Sequence, residues 1–124
     1  MKISMTEFKD GLKQFYGTEM YHKLNNLDVY ATDGVAYFCE NAECYWLFDL
    51  MCTFAYKYQN EQFIVVEAIV ADGGDELNNA TINVEDGNEN KLNKATTKTD
   101  MPIGEWKFFI SNYPDKVIML PSEY

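Results

Sequence analysis

The sequence predicts an α+β fold, with N-terminal helices packed on one face of a four- to five-stranded antiparallel sheet. Three observations carry that expectation. Apolar residues recur at helical spacing through residues 1–58, β-branched runs with strand alternation take over after Gln59, and Gly- and Asn-bearing turns punctuate the second half. A chain of 124 residues suits one core, so residues 1–124 read as a single domain with a helical part (1–58) and a sheet part (59–124).

Ser4 and Glu7 form the S-x-x-E pattern of a helix start, where hydroxyl and carboxylate each satisfy a free backbone N–H. Ile3 and Phe8 are spaced for a hydrophobic staple. Met5, Phe8, Leu12, Phe15 and Tyr16 keep helical periodicity, Gly11 weakens the middle, and Gly17 supplies a left-handed stop. Thr18–Leu24 are compatible with one further helical turn, broken at Asn25-Asn26; Leu27, Val29 and Tyr30 suit a short extended piece. Asp33-Gly34 opens a second helix over about Val35–Glu40, and Asn41 caps a third from Ala42 to about Tyr58. On that third helix Cys44, Leu47, Met51, Phe54 and Tyr58 make one apolar stripe, and Tyr45, Phe48, Cys52 and Ala55 a second. A helix apolar nearly all round is buried on more than one side.

The strands follow. Phe63–Ala71 is β-branched, and residues 80–98 read as a hairpin turning through Asp86-Gly87-Asn88. Glu105–Ile110 and Lys116–Leu120 complete the set, with Asn112–Asp115 turning between them.

Charge narrows the function. The chain has 20 acidic and 10 basic residues, every basic one a lysine, for a net charge of -10. Gripping nucleic acid needs clustered cations, and reading phosphates or guanine edges favours the arginine fork, so direct DNA or RNA binding is not expected. The longest apolar stretch, Cys44–Tyr56, is broken by Asp49 and is shorter than the ~20 residues that span a bilayer. Early acids at Glu7 and Asp10 do not suit a signal peptide, which together with three free-looking cysteines predicts a cytoplasmic protein. The C-x4-C-x7-C spacing of Cys39, Cys44 and Cys52, with only His22 to help, fits no zinc pattern. The oxygen-rich turns 72–76 and 86–90 lack calcium-loop spacing. No metal and no cofactor are expected.

Between Lys57 and Lys91 there are eight acids and no lysine. Glu67, Asp72, Asp75, Glu76, Glu85, Asp86 and Glu89 in that stretch are the candidate partner-binding residues. They would present a one-sign surface to a basic protein partner, such as a nucleic-acid-handling complex, with charge steering the encounter. The same acids also read as a plain solubilising surface. A second candidate is a pocket around Asp49, Tyr45 and His22, because a carboxylate on an apolar helix is costly without a partner. That pocket would make the chain a small enzyme or ligand-binding domain, although no nucleophile, phosphate-loop or dinucleotide motif accompanies it. The 15% aromatic content exceeds what a small core hides, which leaves Tyr and Trp for protein interfaces and makes a homodimer or larger homo-oligomer the third reading.

Several short motifs together resemble a domain-of-unknown-function family of small acidic bacterial and phage proteins. They are Leu12-Lys13-Gln14-Phe15 with Gly17-Thr18-Glu19, Thr32-Asp33-Gly34-Val35, Ala42 with Tyr45-Trp46-Leu47 and Asp49, Glu85-Asp86-Gly87-Asn88, and the closing Leu120-Pro121-Ser122-Glu123-Tyr124. The resemblance carries no activity. It implies a phage or mobile-element setting, in which small acidic proteins inhibit host defence. The leading expectation is therefore a non-enzymatic acidic binding protein that blocks a basic, nucleic-acid-handling host defence complex.

Overall fold

A computed structural model describes residues 1–124. Ser4 opens α1 (Met5–Leu12): its Oγ accepts from the Glu7 N–H at 3.1 Å and donates to the Glu7 carboxylate at 3.1 Å. Glu7 thus reaches the hydroxyl instead of a backbone N–H. The helix is shorter than its periodicity predicts. It ends at Leu12, and a looser turn carries Phe15 onto Tyr37, with ring centroids 5.4 Å apart. Gly11 permits the Tyr37 hydroxyl to lie against the helix backbone, where any Cβ would collide with it. Residues 18–24 are not helical. In that segment His22 exchanges two backbone hydrogen bonds of 2.8 Å with Ala31.

The extended piece is a true sheet member, β1 (Val29–Ala31), followed by α2 (Asp33–Ala42) and α3 (Tyr45–Lys57). Asn41 belongs to α2, where its Nδ2 donates to the Tyr37 carbonyl, and caps nothing. Glu43 instead takes a left-handed conformation (φ 55°) that breaks the helices apart, and Cys44 begins α3 without a side-chain cap. The remaining strands are β2 (Phe63–Ala71), β3 (Asn78–Asp86), β4 (Lys91–Thr99), β5 (Gly104–Ser111) and β6 (Lys116–Met119), closed by a short 3-10 turn, Pro121–Glu123.

These form one six-stranded sheet in the order β1-β6-β5-β2-β3-β4. The count exceeds the four to five strands expected because β1 pairs with β6 across the whole chain, and that pair is parallel while all others are antiparallel. Alternation sends Ile64, Val66, Ala68, Val70, Ile82, Val84, Phe108, Ile110 and Ile118 to one face, where they are buried under the helices. Phe38 of α2 is the hinge of that core: its ring lies 5.1 Å from Phe8, 5.5 Å from Trp106 and 5.0 Å from Phe108. No helix is long and apolar enough to cross a membrane.

Candidate functional site

The helices cover one face of the sheet only, so the opposite residues of each strand face outward. On β2, β5 and β6 many of these are apolar. Val65 stands beside Phe109, Phe109 beside Met119, and Val117 beside Tyr30 of β1, all half-buried. Tyr124 folds back over this strip, its ring 5.2 Å from Phe63 and 5.8 Å from Phe109, while Phe63 and Phe109 lie 4.9 Å apart. At the β1 end the strip sinks into a cavity of ≈ 420 Å³, lined chiefly by Tyr21, Tyr30, Tyr113, Asp115, Val117 and Met119.

The acids do not converge on one face. Asp72, Asp75 and Glu76 lie in the β2–β3 loop, and Asp86 and Glu89 in the β3–β4 turn, at opposite ends of nine-residue β3 and so roughly 25 Å apart at about 3.3 Å per residue. Strand pairing also supplies the lysines that the sequence stretch lacks. Glu67 sits opposite Lys107, Glu85 opposite Lys91, and Asp75 pairs with Lys98 at 3.5 Å. Several acids serve their own turns: Asp72 accepts from the Gly74 N–H, and Asp86 from the N–H groups of Asn88 and Asn90. Bonds from Asn90, side chain first, hold the Asp86 carboxyl below the usual carboxylate range. Two acidic turns thus frame the sheet in place of a single acidic face.

The trio Tyr45, Asp49 and His22 is not assembled into a pocket. Asp49 is exposed on α3 and accepts from Asn25 Nδ2 at 2.7 Å; Tyr45 is exposed at the start of that helix. His22 turns to Asp33, with Nε2 and Oδ1 2.7 Å apart. The three cysteines are buried free thiols, and the neighbouring Cys39 thiol together with burial pushes the Cys44 thiol far up. Burial raises Cys52 to about 11. Neither thiol is a ready nucleophile near neutral pH.

Asp33 and Glu123 were not singled out by sequence reasoning, yet they organise the start of α2. Asp33 Oδ2 accepts from the Glu19 N–H at 2.9 Å and the Met20 N–H at 3.4 Å, while its own N–H donates to Thr18 Oγ1 at 2.9 Å. The His22 ring first, then the Glu19 N–H, lower its pKa to about 2. From the other side, Glu123 accepts from Thr32 Oγ1 at 2.6 Å, the Gly34 N–H at 2.9 Å and the Leu120 N–H at 3.1 Å. The carboxylate thereby satisfies a free N–H at a helix N-terminus, where the helix dipole favours negative charge. Three of the segments that carried the family resemblance, 17–19, 32–35 and 120–124, therefore meet at one joint. Only the helix start at Asp33-Gly34 points to it.

Comparison with curated proteins and with solved structures returns no match for this chain. A family match covers residues 6–124, almost the whole fold just described. The chain belongs to that family, a family of unknown function (DUF6876).

Proposed function

We propose that the chain is a non-enzymatic binding protein that docks a basic protein partner on its uncovered sheet face. The observation that carries this reading is the aromatic strip of Phe63, Phe109 and Tyr124 on the face without helices. Interface cores favour aromatic anchors flanked by polar residues, and the acidic β3–β4 turn, with Asp86 and Glu89, lies beside Phe63 and supplies negative charge for a cationic partner. The net charge of -10 steers the encounter and suits a groove that otherwise holds nucleic acid. The narrower proposal, a nucleic-acid-handling defence complex blocked by a phage or mobile-element protein, rests on that charge and on the family resemblance.

A pull-down from bacterial lysate at low and high salt, with heparin as a competing polyanion, tests it. Capture should weaken with salt and heparin, vanish in Phe109→Lys, and persist in Tyr45→Ser on the helical face. Capture of nothing, or capture indifferent to Phe109→Lys, would overturn the reading.

A further inference from the structure

We propose that the cavity at the β1 end of the uncovered face is an anchor pocket for an arginine side chain of the protein partner, which rests on the binding role above and names its chemistry. The ≈ 420 Å³ cavity is lined by three tyrosines, Tyr21, Tyr30 and Tyr113, by Val117 and Met119, by Ser111 and Pro114, and by one carboxylate, Asp115. Tyrosine rings attract cations through their electron-rich faces. Asp115 makes no ion pair and accepts no hydrogen bond within the chain. Its neighbour Lys116 is committed elsewhere, with Nζ 5.0 Å from the centre of the Tyr56 ring. No lysine lines the cavity, so its charge stands uncompensated.

The occupant follows from those groups. An anion meets no cation there. A purely apolar ligand would strip water from a carboxylate and three phenols without replacing its hydrogen bonds. An ammonium keeps its hydration shell more tightly than a guanidinium, which lies flat on aromatic rings while its fork engages a carboxylate. Among cationic side chains, arginine uses both kinds of wall best. The pocket is also held by rigid parts. Tyr30 and Val117 are registered across the β1–β6 pair, and Tyr21 adjoins the His22–Ala31 bridge. Tyr21 and Tyr113 are exposed at the rim.

The test is an NMR titration of the full chain with the blocked amides of arginine, lysine and citrulline. Arginine amide should shift the Tyr30, Asp115 and Val117 resonances saturably. Citrulline amide, of the same shape but uncharged, should bind about tenfold more weakly, and lysine amide should fall between them. Asp115→Asn and Tyr30→Leu should each weaken arginine binding by roughly three- to tenfold, with the remaining spectrum unchanged. Absence of saturable shifts, equal binding of citrulline, or full affinity in Asp115→Asn would overturn the pocket. Partner capture separates the two proposals. Capture that survives the Tyr30→Leu/Asp115→Asn double variant but fails in Phe109→Lys overturns the pocket and leaves the docking face standing.

Discussion

Asp33 ties three separate donors to one carboxylate: two backbone N–H groups from 13 and 14 residues upstream and the His22 ring. Because its folded pKa of about 2 lies below the ordinary 3.8, the contact is fully present above the unfolded value and is lost as pH falls through the folded one. Thermal stability should therefore drop between about pH 4 and pH 2 more steeply in the parent chain than in Asp33→Asn, as read by melting at stepped pH. Parallel pH profiles would refute the assignment. In the sequence Asp33 is legible only as the start of the second helix. Its partners are backbone groups, which carry no sequence signature. The Asp49 pocket is not formed for the complementary reason: α3 leaves that edge open, and Asn25, from a segment with no pattern of its own, reaches the carboxylate.

Among the elements, α2 shows how a helix is fixed from outside itself. Its first turn is held by Thr32, by Asp33, and by Glu123 from residues far along the chain. Gly34 allows that closeness, since a Cβ there would stand 2.5 Å from Glu123 Oε1 and 2.6 Å from Leu120 Cδ1. Glu123→Ala should cost about 2 kcal/mol in urea denaturation by leaving Thr32 and the Gly34 N–H unpaired, with Glu123→Gln in between. A loss no larger than that of an ordinary surface substitution would argue against the joint. The start of α1 is more legible than its end. Ser4 announces α1 because capping is local, whereas the end at Leu12 is set by packing of Phe15 on Tyr37. Likewise β1 read as extended, but its parallel partner lies beyond every other strand in the chain, out of reach of any local pattern.

For the molecule as a whole, charge and strand edges work together. The β4 edge carries Lys91, Lys94 and Lys98, which oppose pairing with another sheet, and the β1 edge is partly occupied by His22. Local pairing of lysines with acids does not cancel the excess, so self-repulsion should persist in the folded state. Raising salt from about 0.02 M to 0.2 M should then increase the melting temperature by roughly 3 °C, whereas a fall would mean that ion pairs dominate. The sequence showed the size of the charge but misplaced it, because a lysine-free stretch of chain is not a lysine-free surface once β4 and β5 lie alongside β2 and β3.

The parallel β1–β6 pair and the Glu123 joint have a further meaning for how the protein could be divided. The helical part and the sheet part look separable along the chain, but the first strand and the cap of the second helix are completed only by residues 116–123. Neither part is a module in its own right. Cut in the β2–β3 loop, the two fragments would each carry an unmet edge that only the other supplies, so they would recover the native state by complementing each other and not singly.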